Sequence, residues 1–360
     1  MRRSLLSLLA QGPLSVVIAG AILSAAGSPA HTQEAENDGK TITMIVGNPA
    51  GGTADLAGRF MAQFLTKYLP GNPAVVVRNI PGADGKVGMN YFVRHAKPDG
   101  LMIATGVGSP LDPRNYRDPN THYDPLKFHF IGGVSRGGTF QVVAKSALPR
   151  LTDKMAAPVT VGAIDGARSG EQVISWGMEV LGWNAKWVVG YRASTETTVA
   201  LERGEVDLTS SGSSILVRRL TDTGKFQVLC QSGIVVDGKM RRRSDFADVP
   251  TMAELIAGKL TDPGARDAFS YLEAMTSMDP WMALPPDTPS SIVATYREAF
   301  KKATADPEFL EKGKRISEDI RSMFHDDFEL LVKTAADRLT PAADAYIKAL
   351  QVKQGIRAQE

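Results

Sequence analysis

Thr41-Ile42-Thr43-Met44-Ile45-Val46-Gly47-Asn48-Pro49-Ala50-Gly51-Gly52-Thr53-Ala54-Asp55 starts as a β-branched run and ends in glycines and an acid. Its first six residues favour a strand, because branched side chains pack well on a pleated surface. Gly47 to Gly52 break that strand. Beyond them Leu56, Phe60, Met61, Phe64, Leu65 and Tyr68 recur every three or four residues, the spacing of one helix face. Pro70-Gly71-Asn72-Pro73 stops that helix, and Ala74-Val75-Val76-Val77 reads as a second strand. So apolar a run predicts a strand covered on both faces, as in a parallel sheet. A short helix over 87–95 and a strand over 101–105 follow. Strand and helix alternate, which predicts an α/β fold.

The pattern restarts in mid-chain. Residues 139–145 and 159–163 read as strands, 164–170 as a glycine-bearing loop and 171–181 as a helix. A strand over 186–189, a helix over 195–203 and strands over 206–210 and 226–230 complete a second sheet. The last third is mostly helical. Thr288 and Pro289 are expected as N-cap and first residue of a helix reaching about Thr304, and another helix is expected over 326–350.

Composition bounds the function. The chain has 360 residues, 43% hydrophobic and 22% charged, which suits about two globular domains. A net charge of +2 lacks the basic footprint of a nucleic-acid-binding domain. One cysteine, Cys230, excludes an intramolecular disulfide and a cysteine-based zinc cluster; it is expected to be a small buried side chain. The five histidines show no metal-binding spacing, so neither metal nor cofactor is expected. Arg2 and Arg3 precede an uncharged apolar run over 14–26 and the small residues Ser28-Pro29-Ala30. That order predicts a secretory signal peptide over 1–30, too short in its apolar part to span a bilayer. Residues 31–40 are polar and read as a flexible leader.

Two loops stand out as places for chemistry. In the loop over 47–55, Gly51 and Gly52 let backbone N–H groups approach a ligand, and a helix N-terminus favours a carboxylate or phosphate. Thr53 is expected to cap that helix and offer a hydroxyl; the same residues also make an ordinary strand-to-helix turn. A nucleotide phosphate loop is disfavoured, since Gly39-Lys40-Thr41 has Glu34 where the upstream glycine belongs. Gly106-Val107-Gly108 fails as a dinucleotide fingerprint, with Leu111 in place of the third glycine. The second loop, Ile164-Asp165-Gly166-Ala167-Arg168-Ser169-Gly170, repeats the design of the first. Arg168 could clamp a carboxylate or simply be an exposed arginine on a turn.

Gly133-Val134-Ser135-Arg136-Gly137 has the pattern of a nucleophile elbow, which requires a helix after the serine and a histidine later in the chain. A strand is expected there instead, and His325 is the one histidine downstream. The basic run 239–243 has no interleaved aromatic residue and is expected to be a solvated loop.

An ordered series of motifs resembles the Bug-type extracytoplasmic solute receptors of tripartite tricarboxylate transporters. It begins with Asn48-Pro49-Ala50-Gly51-Gly52-Thr53-Ala54-Asp55 followed by Arg59, then Asn79-Ile80-Pro81-Gly82-Ala83-Asp84-Gly85 and Pro98-Asp99-Gly100. Tyr123-Asp124-Pro125, Gly204-Glu205-Val206-Asp207, Asp248-Val249-Pro250-Thr251 and Pro286-Asp287-Thr288-Pro289 continue it. Asn48 stands where the family has an aromatic residue, and Asp165 and Arg168 stand where it is rich in glycine and serine. The resemblance implies a two-domain, periplasmic-binding-protein-like (Venus-flytrap) α/β fold with a ligand cleft between the domains. It places domain 1 at 41–139 and 231–360, and domain 2 at 140–230. It further implies a monomeric periplasmic receptor that hands a small organic acid to membrane permease subunits and performs no chemistry. Carried onto this chain, its ligand-binding positions are Asn48, Ala50, Gly51, Gly52, Thr53, Asp55, Ser109, Asp165, Arg168, Ser169, Asp207 and Ser211. Two other readings are an exported serine hydrolase built on Ser135 and a ligand sensor for a membrane signalling protein.

Overall fold

The computed structural model describes residues 39–135, 137–236, 239–278, 280–314 and 320–356. The expected signal peptide and most of the leader lie outside the described residues. From the amino-terminal side, β1 (Thr41–Val46) pairs in parallel with β2 (Ala74–Asn79) and β3 (Met102–Gly106), and β4 (His129–Ser135) follows. The chain then crosses to a second sheet of β5 (Phe140–Ala144), β6 (Val159–Gly162), β7 (Ala185–Val188), β8 (Leu208–Ser211) and β9 (Phe226–Gln231). A hairpin of β10 (Ile234–Val236) and β11 (Lys239–Arg241) leads back to the first sheet, completed by β12 (Trp281–Leu284) and β13 (Arg321–Phe324).

The first sheet has the order β13-β4-β12-β3-β1-β2 and the second β7-β6-β8-β5-β9. The strand pairs β1–β2, β1–β3, β6–β7 and β6–β8 run parallel. β12 runs against both β3 and β4, and β5 against both β8 and β9, so each sheet is mixed. The Thr53–Tyr68 and Ser290–Thr304 helices cover one face of the first sheet, burying Phe64, Leu65, Ile103, Tyr296 and Phe300 between them. The opposite face carries Phe92, Phe128, Phe130, Trp281 and Phe328, and this core continues without a break into the second sheet through Trp176, Val161 and Leu208. The Trp176 ring, on the Ser169–Val180 helix, meets Phe269 edge-on at 5.2 Å and stacks on Tyr346 at 5.5 Å.

Four expectations change. β2 is an edge strand with Val76 55% exposed, so its valines report β-propensity and not burial on two faces. The helix expected over 326–350 is two, His325–Arg338 and Pro341–Lys353, because Pro341 cannot continue the first; Thr340 Oγ1 accepts from Ala343 N–H at 3.1 Å and caps the second. Pro289, not Thr288, occupies the N-cap of the Ser290–Thr304 helix, and Thr288 Oγ1 donates instead to the Pro285 carbonyl. The basic run is solvated at Lys239, Arg241 and Arg242, as expected, but it is not a loop and its last arginine is not solvated. Residues 239–241 form β11, and Arg243 is fully buried, its charge matched by Asp245 at 2.7 Å and its guanidinium 4.4 Å from the Phe140 ring.

Candidate functional site

The first loop is shaped by a buried acid. Gly51 turns the chain with φ +77°, a conformation that favours glycine, and its N–H donates to Asp55 Oδ2 at 2.9 Å. Gly52 N–H donates to the Pro49 carbonyl at 3.2 Å. Asp55 is only 2% exposed and also accepts from Arg59 Nε at 2.9 Å and Asn79 Nδ2 at 3.0 Å. Asn79 Nδ2 reaches on to the Asn48 carbonyl at 3.0 Å. The Arg59 hydrogen bond is the main reason that the Asp55 carboxyl lies below its usual range. Asp55 is thus the clasp of the loop. Its helix is capped by Gly52 with no side-chain bond, so Thr53 is the first helical residue and not the cap.

The second loop is built the same way. Glu171, like Asp55, is the third residue of the helix behind its loop. Its Oε1 accepts from Ile164 N–H at 2.7 Å and its Oε2 from Gly166 N–H at 2.7 Å, and it is 6% exposed. Burial raises its carboxyl above the usual value, and the backbone N–H groups oppose that rise. Sequence reasoning nominated Asp55 and missed Glu171, although both are acids three residues into a helix after a glycine-bearing loop. Asp165 Oδ1 takes the Ala167 N–H at 2.8 Å, and Asp165 Oδ2 lies 3.4 Å from Arg168 Nε, with both side chains at least half exposed. Arg168 is the N-cap and forms no side-chain cap bond.

Both clasps therefore leave the same donors over. The first N–H groups of a helix have no carbonyl four residues back to bond. Those of Thr53 and Ala54, and of Ser169 and Gly170, find no partner among the described residues. Each pair sits at the positive end of a helix dipole, and both helices start at the carboxyl end of a parallel strand, β1 and β6.

The other nominated residues divide. Gly170 is pressed against β8: a Cβ there would overlap Ser210 Oγ and lie 2.9 Å from Thr139 Cγ2. The fully buried Gln141 places its Nε2 3.3 Å from the Gly170 carbonyl, and Cys230 Sγ donates to its Oε1 at 3.4 Å. Ser211 closes β8 at this same end, where its Oγ accepts from Ser213 N–H. Asp207 precedes β8 at the opposite end, held by Arg150 at 2.7 Å and by Thr160 N–H at 2.9 Å. It does not join the loop. In the first sheet, Gly47 packs on Gly85 and Gly85 on Pro110, so Ser109 and Asn48 share the carboxyl ends of β3 and β1. Asn48 Oδ1 is buried there with no partner among the described residues.

Ser135 ends β4 and runs into β5, and its Oγ accepts from Gly137 N–H at 3.2 Å. The glycines of its motif answer to packing. A Cβ on Gly133 would overlap the Pro280 carbonyl oxygen, and one on Gly137 would lie 2.7 Å from the Arg243 guanidinium carbon. Among the described residues no group of three or more histidine, cysteine or acidic side chains is placed to hold a metal ion.

The family described as "Tripartite tricarboxylate transporter family receptor" matches residues 58–341. A Cupriavidus necator protein, "UPF0065 protein in gbd 5'region", is 27% identical over 308 residues, covering 82% of this chain and 84% of its own. A TctC solute binding protein from Polaromonas, solved without ligand, superposes with a TM-score of 0.64 at 21% identity, over 88% of this chain and 99% of that one. A Rhodopseudomonas palustris protein solved with adipate superposes with a TM-score of 0.57 at 18% identity, over 88% and 98%. Since the family match spans most of the chain, from the first helix to the start of the last, this protein belongs to the tripartite tricarboxylate transporter receptor family.

Proposed function

We propose that this receptor captures a small organic acid in the periplasm and passes it to the membrane subunits of a tripartite tricarboxylate-type transporter. A carboxylate of the ligand lies between the loops 48–55 and 164–170, carried by 41–139 with 231–360 and by 140–230. The observation that carries this reading is the pair of uncapped helix N-termini whose first N–H groups are unspent. The arginines that belong to these two loop-helix units are already matched, Arg59 by Asp55 and Arg168 by Asp165. Recognition therefore falls to backbone donors, each worth about 1.5–3 kcal/mol against a charged acceptor. The protein performs no catalysis. A purified sample is expected to show no ester hydrolysis that disappears in Ser135→Ala, and hydrolysis lost in that variant would replace this reading with a serine hydrolase.

A thermal-shift screen with three- to six-carbon mono-, di- and tricarboxylates tests the ligand class. At a hundredfold excess over Kd, a true ligand adds about 2.7 kcal/mol to stability. If no acid raises the unfolding temperature, the reading fails. Ser169→Pro then tests the donors. Proline is tolerated at the first helical position, and the preceding Arg168 already has the extended backbone that proline requires (φ −67°, ψ 148°). The substitution removes one N–H and leaves the helix intact. Affinity for the best acid of the screen is expected to fall at least tenfold, or about 1.4 kcal/mol or more, while Ser169→Ala, which keeps the N–H, changes it far less. Equal affinities in both variants would place the carboxylate elsewhere.

A further inference from the structure

The Pro341–Lys353 helix packs along the Pro263–Ser277 helix in the layer beneath the first sheet, yet its end reaches the second. Gly355 adopts φ +71°, Ile356 N–H donates to the Gln351 carbonyl at 2.9 Å and Gly355 N–H to the Val352 carbonyl at 3.0 Å. This doubly bonded helix end fixes where Ile356 points. It points at the second loop: a Cβ built on Gly166 would lie 2.9 Å from Ile356 Cγ1 and 3.1 Å from its Cδ1. Gly166 is thus gripped between the Ile356 side chain and the Glu171 carboxylate. Three neighbouring contacts anchor the same turn. Gln354 Oε1 accepts from Trp187 Nε1 at 3.4 Å, Gln354 Nε2 donates to the Ser175 carbonyl at 2.9 Å, and Lys353 Nζ lies 2.7 Å from Glu179 Oε2. Alongside runs a cavity of 610 Å³ bordered by Asp165, Ala167, Arg114, Lys348 and Ile356, so much of this side of the loop faces open space.

We propose that the closing turn of the last helix is a strap that sets the position of the 164–170 loop, with Ile356 as its positioning residue. The support is mechanical. Within its own lobe the loop is held at one end by Glu171 and at the other by Gly170 against Ser210 and Thr139. Ile356 adds a third point of support, from a helix rooted beneath the other sheet. The strap fixes the direction of the Ser169 and Gly170 N–H groups, and in that respect it rests on the ligand reading above.

Amide hydrogen exchange on the full chain without ligand tests the strap independently of any ligand. Ile356→Ala is expected to speed exchange within 164–170 about tenfold, leaving 48–55 and the unfolding midpoint nearly unchanged. Ile356→Leu, which restores the apolar contact, is expected to return exchange to the wild-type rate. Gln354→Ala supplies a second, milder variant with the same local signature. Unchanged exchange at 164–170 in Ile356→Ala, or an equal rise at 48–55, would overturn the strap. Adipate and the rest of the acid panel then serve as probes: if the wild type binds none of them, the ligand reading fails while the exchange result still decides the strap.

Discussion

Gly133→Ala is expected to destabilise the protein by about 3 kcal/mol or more, the upper end of the overpacking range. Gly133 lies in β4 beside β12, and the added methyl would overlap the Pro280 carbonyl oxygen while lying 2.8 Å from Phe328 Cζ and 2.9 Å from Trp281 Cα. Two of those three neighbours are backbone atoms, at the start of β12 and in the residue just before it, so no rotamer change relieves the contact. Urea unfolding measures the loss, and a change below about 0.5 kcal/mol, the size of an ordinary surface substitution, would refute the packing account. The same result bears on Ser135. If Gly133 is fixed by the approach of β12, the Gly-x-Ser-x-Gly pattern is a packing coincidence and implies no nucleophile.

Asp55→Ala is expected to cost about 2–3 kcal/mol of stability, in line with hydrogen bonds to a charged group, and to abolish measurable ligand binding. Its carboxylate holds Gly51, Asn79 and Arg59 in place at once, so its removal frees the turn that aims the Thr53 and Ala54 N–H groups. Arg59 is half exposed and is rehydrated on loss of its partner, which keeps the cost below that of stranding a buried charge. Calorimetry with the screened acid and urea unfolding check the two parts; full affinity in a folded Asp55→Ala protein would refute the clasp. A pH dependence follows from the same contacts. The folded-state carboxyl lies below its usual value near 3.8, so the stability it adds is present above that value. It is lost as the pH falls below 3.8 and the carboxylate is protonated. The acid limb of the wild-type stability profile is therefore expected to flatten in Asp55→Ala.

Local rules carried much of this protein. A β-branched run, a glycine loop and a helical period are signals within about thirty residues, and both candidate loops appear in the structure where the sequence places them. The motif order reached the family as well. What escaped depended on partners far along the chain. β2 became an edge because β3, and beyond it β12 two hundred residues on, extend the sheet on the other side of β1, and a valine run cannot say which flank stays unpaired. Arg243 reads as solvated until Phe140, more than a hundred residues before it, offers a ring face. Asp207 and Ser211 are four residues apart in sequence, but a strand separates them by its length and sends them to opposite ends of the sheet. The sequence by itself determined the strand–loop–helix units, the α/β class and the two loops. Asp55 and Glu171 spend the N–H groups of Gly51, Ile164 and Gly166 through local contacts, but only the tertiary structure decided that no distant acceptor reaches the donors left over, because an unspent donor exists only once every competing acceptor has been placed.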